Sequence, residues 1–325
     1  MFVLAGYSGK AKNIEFIEDE KVKIIFRDSI SAFDGVKLDE LDNKGVINCK
    51  ISTRLFQILH EYGLETHFIS SSKDDEMICE RVEIIPVETV CRNKTAGSFC
   101  RRYGVDQGIK FESPIIEYFL KNDDLHDPLV NKEVAVNMEW MNSEEAMLME
   151  VITRAVNHIL KEVFDLINLD LIDFKLEFGR NKDGCLLIAD EISADTMRLW
   201  EKKTGEIKDK DRYRKDLGEV IHHYEDILNR LNTINDLPNI ETQTEAYVNI
   251  NLKNSVLDPA GAVTQRVLIR NQHETIETTR LGKNAKLIFS EFPSFSLFKE
   301  IKGISSEILS NPLIEDFEIE LKYHS

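Results

Sequence analysis

The sequence predicts an α/β (α+β) protein in two parts, a larger mixed region followed by a small C-terminal two-layer sandwich of βαββαβ order. Three observations predict it. A chain of 325 residues is too long for one average domain and too short for three. Strand-like alternation and helix-like spacing are interspersed along its whole length. Between residues 232 and 244 the chain is polar, contains Pro238 and loses any period, so a linker is placed at 233–242, between domains 1–232 and 243–325.

In chain order, alternating apolar residues at 14–17 and 21–26 predict strands. Residues 52–62 set Leu55, Ile58 and Leu59 at helical spacing and stop at Gly63. Residues 80–92 are β-rich, with Pro86 marking an edge or a strand start. The longest helical pattern, 142–164, has Ser143 as its expected cap and keeps Met147, Val151, Ala155, Ile159 and Val163 on a 3–4 residue beat. Strand-like runs at 171–178 and 185–188 are joined by a turn at 179–184, and 217–231 reads as a further helix. In the C-terminal part, strands are expected at 247–252, 275–280, 285–289 and 317–321, with helices at 259–269 and 295–309.

The composition, 42% hydrophobic and 30% charged, excludes wholesale disorder. With 41 Lys+Arg against 58 Asp+Glu the net charge is −17, which disfavours a nucleic-acid partner held by its phosphates. Residues 242–325 hold 9 basic and 11 acidic side chains, so −15 falls on the first 241 residues. The five cysteines, Cys49, Cys79, Cys91, Cys100 and Cys185, form no C-x-x-C pair and read as reduced thiols. The first ten residues lack a basic start and an apolar stretch, and no run approaches the ~18 apolar residues that span a bilayer. A cytoplasmic protein without a membrane partner is expected.

Several familiar chemistries are missing. There is no G-x-x-x-x-G-K-[ST], G-x-G-x-x-G, H-E-x-x-H or G-x-S-x-G, and the adjacent His222 and His223 would splay apart. What remains are short polar clusters set in strand-like sequence. Gly9-Lys10-Ala11-Lys12 offers two ammonium groups and a backbone that can approach a phosphate, though such a pair on a surface strand can equally be solvated. On a strand, Asp173, Lys175 and Glu177 share one face while Phe174, Leu176 and Phe178 share the other. A hairpin with the next strand would bring Glu177 near Asp190, giving either a magnesium site completed by phosphates or a cross-strand ladder of surface ion pairs. Arg92-Asn93-Lys94 with Gly97-Ser98 supplies a guanidinium fork, backbone N–H groups and a hydroxyl, and Arg198 and Arg214 add further cations. Together these suggest a cleft for anions and a divalent metal, hence phosphoryl-transfer or ligase chemistry.

At these residues the chain resembles a known family. Gly9-Lys10-Ala11-Lys12, Ser31-Ala32-Phe33-Asp34-Gly35, the stretch from Pro86 through Arg92 to Gly97-Ser98, Lys121-Asn122-Asp123 with His126-Asp127-Pro128, residues 173–179, 190–200 and 210–214 follow the pattern of phosphoribosylaminoimidazole-succinocarboxamide synthase, or SAICAR synthetase. The resemblance implies a two-lobed ATP-cleft fold. It implies condensation of the imidazole carboxylate of CAIR with L-aspartate in purine biosynthesis, using ATP and Mg²⁺. It places Lys10, Lys12, Arg81 and Glu88 at ATP, and Glu177 and Asp190 at the metal. Lys175 and Asp173 become the catalytic candidates. Arg92, Ser98, Arg198, Asp34, Lys121, Asp127, Asp195 and Arg214 become substrate contacts.

Residues 247–323 resemble a second family, the small (S) subunit of phosphoribosylformylglycinamidine synthase. Val248-Asn249-Ile250-Asn251-Leu252-Lys253, Ser255 through Gly261, Arg280-Leu281-Gly282-Lys283 and Leu309 through Asp316 carry the likeness. It implies self-pairing into a homo-oligomer, and contact with the large and glutaminase subunits of that synthase. Asp258-Pro259 equally reads as a helix cap, and Asn311-Pro312 as a turn. At Glu291-Phe292-Pro293-Ser294-Phe295 the chain departs from the family's smooth entry into its second helix, leaving that helix's start open.

Overall fold

The computed structural model describes residues 4–324 except 10, 19 and 33–35. The chain divides into two compact units, 1–240 and 241–325.

The first unit opens with strands β1 (Leu4–Ser8), β2 (Lys12–Ile17) and β3 (Lys21–Phe26), a small hairpin of β4 (Ser29–Ala32) and β5 (Lys37–Glu40), and helix α1 (Lys44–Glu61). Next come β6 (Phe68–Lys73), β7 (Glu76–Glu80), β8 (Glu83–Ile84), β9 (Val87–Lys94), α2 (Gly97–Tyr103), β10 (Lys110–Leu120) and β11 (Leu129–Val130). Helices α3 (Lys132–Asn137) and α4 (Ser143–Leu166) lead into β12 (Leu169–Arg180), β13 (Leu186–Ala189), β14 (Met197–Glu201), α5 (Asp211–Arg214) and α6 (Val220–Asn232). Strands β1-β2-β3-β7-β6 form one antiparallel sheet, and β11-β10-β9-β12-β13 form the spine of a second, on which β8 and β14 also pair with β12.

The core explains both sheets. On β3 the alternation works as expected: Val22, Ile24 and Phe26 are buried, and Lys21, Lys23 and Ile25 are only half-buried. Phe174, Leu176 and Phe178 of β12 are at most 1% exposed, and α4 covers β9 and β12 with its apolar stripe of Leu148, Ile152, Ala155, Ile159 and Val163. Each such large side chain removed from water contributes about 1.5–3 kcal/mol. The α4 cap is Asn142 rather than the expected Ser143: Asn142 Oδ1 accepts from Glu145 N (2.9 Å), and Glu145 Oε2 accepts from Asn142 N (2.7 Å). Asparagine can close that reciprocal box as serine does, and it stands one position earlier. α1 begins at Lys44, two turns before the expected start.

The second unit contains β15 (Gln243–Leu252), α7 (Pro259–Arg270), β16 (Lys283–Phe289), α8 (Phe295–Ile304) running into a π-helical turn at Ser305–Leu309, and β17 (Glu315–His324). Its sheet has three strands, β16-β15-β17, all antiparallel. The strand expected at 275–280 does not form, so the βαββαβ order becomes β-α-β-α-β. Arg280, at the end of that segment, donates instead to the carbonyls of Leu252, Lys253 and Val256. Asp258 caps α7 by accepting from Gly261 N at 2.8 Å, with Pro259 at the first helical position. Ser294 caps α8 by accepting from Leu297 N at 3.1 Å, which settles where that helix starts, and Phe292 is buried against Tyr323.

All five cysteines are free thiols, three of them buried. Among the described residues no helix is long and apolar enough to cross a membrane.

Candidate active site

A cavity of about 490 Å³ opens in the first unit. Its walls come from the β1–β2 turn (Tyr7, Gly9, Ala11, Lys12), the β9 and β12 faces (Glu88, Arg92, Asp173, Lys175, Glu177), residues 121–127, and two segments at 190–198 and 210–214.

The β12 strand explains why the carboxylates and the lysine converge. Its period of two sends Phe174, Leu176 and Phe178 into the core and leaves Asp173, Lys175 and Glu177 on the cavity face. The β12–β13 register pairs Glu177 with Ala189, so Asp190 stands one residue beyond that pair. Asp190 has a left-handed backbone, φ +62°. His67 holds it there, since its Nε2 lies 3.0 Å from the Asp190 carbonyl. Burial keeps His67 neutral, with a pKa near 4, so Nε2 carries the proton and donates.

Two charge networks follow. In the first, Lys12 pairs with Asp190 and with Glu191 (2.9 Å), Lys175 with Glu88 (2.7 Å) and Glu177 (2.9 Å), and Lys121 with Glu177. Burial alone would raise Glu177 and Asp190, but the surrounding ammonium groups outweigh it and hold both below the usual carboxylate range. Glu88, with fewer cations near it, is pushed up by burial despite Lys175. Lys12 and Lys175 are raised, because their carboxylate neighbours overcome the burial that would lower them.

In the second network carboxylates and guanidiniums alternate. Glu117 accepts from Arg92 Nε (2.5 Å) and pairs with Arg102, Asp173 binds Arg92 and Arg198 (2.8 Å each), and Asp211 binds Arg198 (3.0 Å) and Arg214 (2.5 Å). Each arginine is thereby aimed by two acids or by one rigid acid.

Lys12, Glu88, Arg92, Lys121, Asp127, Asp173, Lys175, Glu177, Asp190, Asp195, Arg198 and Arg214 all reach the cavity wall. Arg81 is not among the lining residues; its guanidinium lies over the Phe16 ring, 4.8 Å from the centroid. Ser98 does not line the cavity either, and its Oγ accepts from Arg92 at 3.4 Å. Lys10 and Asp34 lie outside the described residues. The described lysines and arginines of the cleft do not stand bare: they are already paired with acids. Glu191, Lys210, Glu117 and Asp211 were not singled out as site residues. Glu191 and Lys210 sit inside motifs already noted, whereas nothing local marks Glu117.

A divalent cation would meet Glu177 and Asp190 from neighbouring strands. Glu191 Oε2, on the wall of the same cavity, is buried and without a hydrogen-bond partner. Among the described residues no three acidic, histidine or cysteine side chains could hold a metal by themselves. That donor set fits magnesium, which takes one or two carboxylates and completes its shell with phosphates and water.

The first unit is thus a mixed α/β fold built around an ion-paired cleft, the architecture of an enzyme. The comparisons make it particular. The SAICAR synthetase family profile matches residues 5–231, and a phosphoribosylformylglycinamidine (FGAM) synthase PurS profile matches 245–323. A phosphoribosylaminoimidazole-succinocarboxamide synthase of Methanocaldococcus jannaschii is 47% identical over 225 residues, 69% of this chain and 93% of that protein. The crystal structure of the Ehrlichia chaffeensis synthase is 40% identical, with a TM-score of 0.69 over 71% of this chain and 99% of its own. A SAICAR synthetase solved in complex with ADP is 38% identical, with the same TM-score over 73% of this chain and all of that one. The chain belongs to the SAICAR synthetase family, with a PurS-like domain fused behind the enzyme domain.

Proposed function

We propose that residues 1–232 condense CAIR with L-aspartate and ATP, giving SAICAR, ADP and phosphate. The observation that carries this reading is the lysine–carboxylate array of the cleft, with Lys12, Lys121 and Lys175 set against Glu88, Glu177, Asp190 and Glu191. A carboxylate is a poor acyl donor because its oxygen does not leave. Transfer of the γ-phosphoryl group to an oxygen of the CAIR carboxylate makes that oxygen a leaving group. The aspartate amine then attacks the carbonyl carbon and loses a proton, and phosphate departs with the C–O electron pair. Magnesium, held by Glu177 and Asp190, supplies neutralisation of phosphate charge.

The chain's own groups do the positioning. Lys10, Lys12 and Lys175 meet the phosphates as point charges, and Glu88 and Arg81 belong to the nucleotide side. Asp173 aims Arg92 and Arg198 at the CAIR phosphate, with Ser98 beside Arg92. Asp34, Lys121, Asp127, Asp195 and Arg214 contact CAIR or aspartate. Such a site accelerates by orientation and preorganised charge, without a covalent nucleophile. ADP release measured with CAIR alone, aspartate alone and both together tests this: turnover needs both. Turnover with either substrate omitted would instead indicate a phosphotransferase acting on another acceptor.

For residues 243–325 the reading is an assembly subunit that contacts the large and glutaminase subunits of FGAM synthase, joined through a linker at 233–242. The profile match over 245–323 supports it. Immobilised full-length chain should capture the large subunit at micromolar concentration; absence of capture would leave self-association as the domain's role.

A further inference from the structure

Helix α1 begins with a charge where helix physics disfavours it. Lys44 stands in the first turn, where the backbone dipole is positive and a cation is unfavourable. Its side chain is only 2% exposed, so the ammonium has also been taken out of water. No acidic residue lies in that first turn; Asp28 Oδ1, from outside the helix, accepts from Gly45 N at 2.9 Å, a backbone donor and not the Lys44 ammonium.

The compensation comes from the cleft. Lys44 Nζ lies 2.6 Å from Asp195 Oδ2. The other oxygen, Oδ1, accepts from the hydroxyl of Tyr224 on α6 at 2.8 Å, and that side chain is fully buried. Lys210 approaches at 4.0 Å from the cavity wall. Lys44 and Tyr224 are not among the lining residues, whereas Asp195 and Lys210 are. The same face of α1 grips the segment a second time. Lys44 and Ser52 are eight residues apart and share a side of the helix, and Ser52 Oγ accepts from Ile192 N at 3.2 Å. A residue that breaks a local rule at such cost is expected where function requires it.

We propose that Lys44, together with Tyr224, is a positioning residue for substrate recognition, fixing the Asp195 carboxylate in one orientation from the side away from the ligand. This rests on the ligase reading, in which Asp195 touches CAIR or aspartate. Lys44 binds neither. It holds Asp195 against rotation, and the Tyr224 hydroxyl fixes the second oxygen.

Steady-state kinetics of the full chain, with CAIR, aspartate and ATP varied in turn, test it on Asp195→Asn, Lys44→Met, Tyr224→Phe and the Lys44→Met/Asp195→Asn double variant. Lys44→Met raises the KM of the substrate that Asp195 contacts about tenfold, on the scale of one charge-assisted hydrogen bond, and leaves the KM of ATP unchanged. Tyr224→Phe, which loses one hydroxyl, shifts the same KM about threefold. In the double variant Lys44→Met adds nothing to the effect of Asp195→Asn, because both act through one carboxylate. Wild-type KM values in folded Lys44→Met and Tyr224→Phe overturn the proposal, as does full additivity in the double variant. Should Lys44→Met fail to fold, Tyr224→Phe decides alone. Wild-type kinetics in Asp195→Asn is a separate failure, which removes the substrate role of Asp195 on which the proposal rests.

Discussion

Gly97 lies against the guanidinium of Arg198: a Cβ built on it would stand 2.3 Å from Nη2 and 2.7 Å from Cζ. Its φ is +56°, a backbone setting that suits glycine. Arg198 has no room to withdraw, because Asp173 holds it through Nη1 (2.8 Å) and Asp211 through Nε (3.0 Å).

Gly97→Ala should therefore strike Arg198 harder than it strikes the fold. The backbone penalty is about 1 kcal/mol, while a displaced Arg198 costs about a hundredfold in catalytic efficiency towards CAIR. Kinetics and a melting curve on the same preparation separate the two. An unshifted KM for CAIR would show that Arg198 is not a CAIR contact.

Glu177→Gln keeps the shape of the site and removes one negative charge from the group that meets Lys175 and Lys121. The expected result is a fall in turnover of about a hundredfold and a rise in the magnesium concentration needed for half-maximal rate. A magnesium dependence identical to wild type would remove Glu177 from the metal site.

Asp209 predicts a stability trend with pH. It is fully buried, and its two oxygens accept from Leu199 N and Asp211 N at 2.8 Å each. Burial, and then the neighbouring Asp211 carboxylate, push it up to about 7. The folded state thus holds a proton that the unfolded chain has released. Its contribution is complete below the ordinary carboxylate range and is lost as pH rises through about 7. Asp209→Asn should lower the melting temperature by leaving one N–H unpaired, yet flatten its decline between about pH 5 and 8. Thermal melts across that range check the slope, and a decline as steep as wild type contradicts the assignment.

Asn142→Ala opens the capping box of α4. Glu145 stays in place through Arg180, whose Nε is 2.5 Å from its Oε1, so the loss is confined to the bond from Glu145 N. The cost is about 1 kcal/mol, a fall of roughly 2–4 °C in the melting temperature of a unit this size, with activity retained. Calorimetry of the full chain should show the shift in the transition of the first unit.

What the sequence revealed, and what it did not, divides along one physical line. Asp173, Lys175 and Glu177 were legible because the two-residue period of a strand is local, and the hairpin that brings Asp190 near them was legible from its turn residues. Lys44 and Glu117 were not, because each draws its meaning from a partner on a distant element. The first two turns of α1 were hidden for the same reason. Lys44, Gly45 and Asn48 look like a polar lead-in until the elements that bury them are known. Residues 275–280 are rich in β-branched residues like a strand, yet composition alone does not make a ladder. The net charge of the first 241 residues is silent about the cleft, where acids and bases match locally.

That matching has a thermodynamic consequence. A bare lysine patch gathers small anions from solution and releases them when a ligand arrives, so its affinity falls steeply as salt is added. Here Lys12, Lys121 and Lys175 carry their counterions covalently, as Asp190, Glu191, Glu88 and Glu177. A polyphosphate entering the cleft, as proposed, would displace carboxylates that cannot diffuse away, leaving them free for the cation that accompanies it. On the proposed function the site would act as an ion exchanger. Nucleotide affinity should be nearly indifferent to monovalent salt, and the nucleotide and its divalent ion should each bind better in the presence of the other.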